Sequence, residues 1–137
     1  MTVAERESAL AAEIGAIGDV FDQYSWLVAK SAELAPLPEA LRRDENLVAG
    51  CQSRVWLALL PRPDGTVSLA ADSDTLILRG VLAVLAELAE GRRAAEIAAA
   101  PFDPFRGTDL KLTFTAERAA GLELISKRIQ KEASALL

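Results

Sequence analysis

"RVWLALLPRPDGTVSLAA", residues 54–71, is the stretch on which the fold turns. Val55, Leu57 and Leu59 alternate with Trp56 and Ala58, the period-two pattern of a strand with one face in a core. "PRPDGT", residues 61–66, then reads as a hairpin loop, with Gly65 free to take a positive φ and Pro61 and Pro63 ending the pairing. Val67 to Ala71 returns as the second strand. Leu47 to Ala49 is a candidate short third strand leading into Gly50.

Downstream, "DSDTLILRGVLAVLAELAEG" predicts a long helix that Ser73 or Asp74 caps and that closes at Gly91. It is apolar nearly all round, so it is expected to lie buried against the sheet. "RRAAEIAAAP" predicts a short helix ended by Pro101, and "FDPFRGTDLKLTF" a loop with aromatic anchors. Thr115 caps a last helix in which Leu122, Ile125, Ile129, Ala133 and Leu136 form a stripe. Upstream, Thr2 caps a first helix with Ala4, Leu10, Ile14 and Ile17 as contacts, ending at Gly15 and Gly18. Asp19 caps a second helix with Phe21, Tyr24, Leu27, Val28 and Leu34 on one face, stopped by Pro36 and Pro38. A polar link, "EALRRDEN", precedes the hairpin region. The order helix, helix, hairpin, helices predicts one α+β domain over residues 1–137, a small antiparallel sheet with helices packed on one side.

With 137 residues the chain has room for one domain with a real core. Twenty Asp and Glu against fifteen Lys and Arg leave a net charge of −5, a field that repels nucleic acid and anionic membranes. No basic start followed by an apolar block marks a secretory signal, and no apolar run is long enough to span a membrane. One cysteine allows no internal disulfide, which fits a reducing cytoplasm.

The chain contains no histidine, so Ser-His-Asp and Cys-His dyads and an ordinary zinc site drop out. No glycine spacing matches a phosphate-binding loop. Asp72 and Asp74 form a carboxylate pair whose plainer role is negative charge at a helix N-terminus. That leaves Cys51. A lone cysteine is more often an inert apolar residue than a nucleophile. Cys51, however, sits between Gly50 and the polar pair Gln52 and Ser53, on the turn before a strand. Arg54 is either a cation near enough to favour the thiolate or a solvated strand-edge charge. A thiolate without a general base can still attack a sulfur electrophile, because a stabilised thiolate leaves without needing a proton.

"NLVAGCQSRVWL", residues 46–57, resembles the signature of the SufE family, sulfur acceptors for PLP-dependent cysteine desulfurases in iron-sulfur cluster assembly. "YSWLVAKSAELAPLP" resembles the helix and proline pair before that signature, "ADSDTLILRGVLAVL" the helix start after it, and "TFTAERAAGLELI" the last helix with its arginine. The resemblance spans roughly residues 19 to 135 and implies a SufE/IscU/NifU-like fold. It implies that Cys51 takes the outer sulfur of the desulfurase's persulfide, stimulates that enzyme and passes sulfur to a downstream iron-sulfur scaffold. Gly50, Gln52 and Ser53 then shape the loop, while Arg54, Asp74 and Arg118 lie near the loop or the desulfurase interface. No cofactor or metal of its own is implied, and both a monomer and a homodimer fit. A CsdE-like acceptor for another desulfurase, or a regulatory module that carries no sulfur, are the alternative readings. A thiol peroxidase or hydrolase is disfavoured by the missing histidine. The sequence departs from the family pattern at Lys30-Ser31, Thr113, Ala116 and Arg106, the last standing where an acidic residue is expected.

Overall fold

Two strands, β1 (Val55–Pro61) and β2 (Val67–Ser73), pair antiparallel from Val55 opposite Ser73 to Pro61 opposite Val67. The computed structural model describes residues 2–99 and 102–137. Val55, Leu57 and Leu59 face Val67, Leu69 and Ala71 in the core, as the alternation predicts. Pro61 does not end the pairing but is its last member, a position at the strand end where no ladder amide is required. β2 runs two residues past Ala71 to Ser73. Leu47–Ala49 adds no third strand: Leu47 makes one bridge to Trp56, and the chain turns away at Gly50.

Helix α1 (Val3–Ile17) starts in a reciprocal capping box between Thr2 and Glu5, and α2 (Val20–Lys30) starts on the carboxylate of Asp19. The first helix buries Val3, Leu10 and Ile14 and leaves Ala4 exposed, because a stripe set by Leu10 and Ile14 comes round to position 3, not 4. Gly15 lies inside α1, and Gly18 alone ends it. In α2 the buried residues are Gln23 and Leu27, whereas Phe21 and Tyr24 are 79% and 40% exposed, contrary to the expected face. α2 has already tightened into a 3-10 turn, Ser31–Glu33, before Pro36 and Pro38 are reached. The polar link forms two more such turns, Glu39–Leu41 and Asp44–Asn46.

α3 (Leu76–Ala89) buries ten of its residues between the sheet and α2. Its N-cap is Thr75, not Ser73 or Asp74, since both of those side chains bond to the backbone of Arg54. Gly91 follows the C-cap residue Glu90 as predicted. α4 (Ala94–Ala99) packs on the last helix, and its expected end at Pro101 lies outside the described residues. The 102–114 segment buries Phe102 and Phe105 but also holds a helical turn, α5 (Asp109–Leu112), capped by Thr108. α6 (Ala116–Ala135) starts on the Thr115 hydroxyl and buries Ile125, Ile129 and Ala133, with Leu136 beyond its last turn and exposed. Helices thus cover one face of the sheet in an α+β arrangement. On the other face the Arg42 guanidinium lies 4.8 Å from the Trp56 ring and pairs with Asp72 at 2.9 Å. No helix among the described residues is long and apolar enough to cross a membrane.

Candidate functional site

Cys51 lies on a loop whose two feet are held by different parts of the molecule. At the first foot, Val48 N donates to Val55 O at 2.8 Å, and the Arg128 guanidinium of α6 donates to Leu47 O at 3.0 Å and Glu45 O at 2.9 Å. At the second, the Arg54 amide donates to Asp74 Oδ1 at 3.1 Å, while its carbonyl accepts from Ser73 Oγ at 2.8 Å. The Ser53 and Thr75 hydroxyls share a hydrogen bond at 2.6 Å. Between the feet, the one side-chain hydrogen bond made by residues 49–52 runs from Cys51 Sγ to Gly121 O, 3.7 Å away. A thiol is a weak donor, so this contact holds the tip lightly.

The thiol points inward. Cys51 is half-buried and packs against the core, with Sγ over α6. Beside it opens a cavity of about 250 Å³ lined by Gln52, Ser53, Leu78, Thr115, Arg118 and Ile125, among others. The structure therefore brings Cys51, Gln52, Ser53 and Arg118 to one cleft. Asp74 sits behind it as an anchor for the loop, neither capping α3 nor lining the cavity. Arg54 is exposed and acts through its backbone. Arg106 bonds to Asp103 and lines a different, larger cavity of about 710 Å³. Among the described residues, no three Cys, Asp or Glu side chains converge on a metal-sized site.

Burial pushes the Cys51 thiol above its ordinary pKa, and no cation contributes an opposing pull. The Arg54 side chain is exposed to solvent, while the sulfur turns toward α6. Since the tucked thiol binds its proton more tightly than a released one, stability of the tucked state is intact below the free-thiol pKa and lost as pH rises through the raised value. Iodoacetamide should accordingly alkylate native Cys51 more slowly than the urea-unfolded chain at neutral pH, with a rate profile displaced to higher pH. Identical profiles in native and unfolded protein would contradict a buried thiol.

Gly50 makes the inward turn possible. Its φ is +89°, and a Cβ there would meet Leu124 Cδ1 at 3.0 Å. For an L-residue the left-handed backbone costs roughly 1–2 kcal/mol. Gly50→Ala is therefore expected to shift the tip outward and raise the Cys51 alkylation rate by on the order of tenfold, with little change in the thermal midpoint. An unchanged rate would show that the tip tolerates the strain.

Gly121, Leu78, Thr115 and Arg128 were not legible as site residues. The one available signal was Gly121, a glycine inside an otherwise good helical stripe.

The family model described as "SufE: Fe-S metabolism associated domain" matches residues 8–133. Among solved structures, the chain is similar to the solution structure of a hypothetical protein from Thermus thermophilus, with a TM-score of 0.80 at 21% identity. That match covers 99% of this chain and 98% of the other, and at this identity it speaks to the fold alone.

Proposed function

Because the chain belongs to the SufE family and so has a role in Fe-S metabolism, we propose that Cys51 accepts persulfide sulfur from a SufS-type, PLP-dependent cysteine desulfurase, stimulating that enzyme and passing the sulfur on for cluster assembly. The observation that carries this reading is the chain's only thiol, on a lightly held tip between two anchored feet, in a chain with no histidine. Such a group suits an electrophile that needs no general base.

In the proposed step the tip leaves α6 and the Cys51 thiolate attacks the outer sulfur of the desulfurase persulfide. A sulfur-sulfur bond forms on Cys51 as the donor's breaks. Cys51 is oxidised to a persulfide, and the donor cysteine is reduced to a thiolate that takes up a proton. Arg128 and Asp74, by holding residues 45–47 and 54, confine the movement to the tip. Loss of the weak Sγ–H···O contact costs little, so a partner can draw the thiol out.

Incubation with a SufS-type desulfurase and cysteine should add one sulfur atom to Cys51, read by mass spectrometry, and raise the rate of alanine release. An unmodified Cys51 without rate stimulation would end this proposal. Stimulation of a different desulfurase alone would instead mark a CsdE-like acceptor. A cytoplasmic location accords with the need to keep this thiol reduced.

A further inference from the structure

Resting on the reading of Cys51 as sulfur acceptor, we infer that Gly121 of α6 is a positioning residue, which leaves room for the outer sulfur of a Cys51 persulfide and so retains the loaded form in the cleft. Gly121 lies inside a 20-residue helix, where glycine weakens the helix relative to alanine. Its φ is not positive, so the backbone does not demand a glycine. Among the described residues, and apart from its own helix backbone, a Cβ at this position would meet one atom within 4 Å, Cys51 Sγ at 3.8 Å.

That distance is ordinary van der Waals contact, so the thiol by itself would fit over an alanine. The site is one methyl emptier than the resting thiol requires. A persulfide needs that space, because its outer sulfur lies about 2 Å beyond Sγ. Directed at a methyl on residue 121, that sulfur would overlap it; over a glycine it meets only helix backbone. The cavity of about 250 Å³ continues from there to Leu78 and Ile125, both buried, with Arg118 and Thr115 also on its wall. An outer sulfur held against Leu78 and Ile125 is kept from reductants.

The test compares wild type with Gly121→Ala, a change that favours the helix. Each protein is loaded chemically: the Cys51 thiolate opens an aromatic disulfide, releasing one aryl thiolate, and hydrosulfide then displaces the second to leave the persulfide. Cyanide removes the outer sulfur as thiocyanate and returns the Cys51 thiolate, giving a rate for access to that sulfur. Iodoacetamide on the unloaded proteins gives the rate for the thiol. Gly121→Ala should lose its outer sulfur roughly tenfold faster than wild type, while its thiol alkylates at the wild-type rate; in urea the cyanide difference vanishes. Gly121→Val, bulkier, should expose the thiol as well. Equal cyanide rates in wild type and Gly121→Ala overturn the inference, as does an equal acceleration of thiol and persulfide. Because loading needs no desulfurase, a failure of enzymatic transfer would overturn the acceptor reading while the cyanide comparison still judges Gly121.

Discussion

Cys51→Ser is expected to abolish sulfur uptake and to reduce desulfurase turnover to that of the enzyme alone, with the fold unchanged. The serine hydroxyl takes the place of a half-buried thiol whose one hydrogen bond, to Gly121 O at 3.7 Å, is weak; the shorter hydroxyl falls short of that carbonyl, and the adjoining cleft lets water bond to it instead. The stability change should therefore stay within about 1 kcal/mol. The hydroxyl cannot form a persulfide, and no second cysteine exists to replace it. The measurements are alanine release with and without the variant and the mass of the recovered protein. Full stimulation by Cys51→Ser would mean that the protein activates its partner by binding, without carrying sulfur.

Gly80→Ala should have the largest effect on stability. A Cβ on Gly80 would lie 2.1 Å from the carbonyl oxygen of Leu27 and 3.0 Å from its carbon. Both are backbone atoms of α2, so relief requires one whole helix to move. Leu27 and the neighbouring Val81, Leu82 and Val84 of α3 are buried, which makes that movement expensive. Against this, alanine improves intrinsic helix propensity by about 1 kcal/mol, while overpacking of this severity costs about 3 kcal/mol or more. The net loss should lower the thermal midpoint by on the order of 10 °C. Gly15→Ala in α1 is the control: among the described residues nothing outside its own helix backbone lies within 4 Å of its Cβ position, so the same chemical change should slightly stabilise the protein. A midpoint for Gly80→Ala at or above wild type would refute the close approach of α2 and α3.

The same contact explains why spacing misplaces the exposed aromatics of α2. Phe21 and Tyr24 share a helical face with Val28, and spacing alone favours burying them. Gly80 admits the backbone at Leu27 so closely that the helix instead turns Gln23 and Leu27 inward. Ser73 and Asp74 escape the cap role for a related reason. Both are good helix caps by type, but the Cys51 loop passes beside them and its Arg54 backbone takes their oxygens. The hairpin and the caps at Thr2, Asp19 and Thr115 were legible because each is settled within a few residues.

The sequence by itself determined the α+β order of elements, the isolation of a single thiol on the turn before β1, and the lack of any histidine base. These follow from local patterning and from residue inventory. Only the tertiary structure decided which way that thiol points and what surrounds it. Gly121, whose carbonyl accepts from Cys51 Sγ, is 70 residues away along the chain, and Arg128, which clamps Leu47, is 81 away. Burial is the physical reason the two levels differ: desolvation of Cys51 depends on where α6 packs, and α6 is placed by the core it shares with β1 and α4.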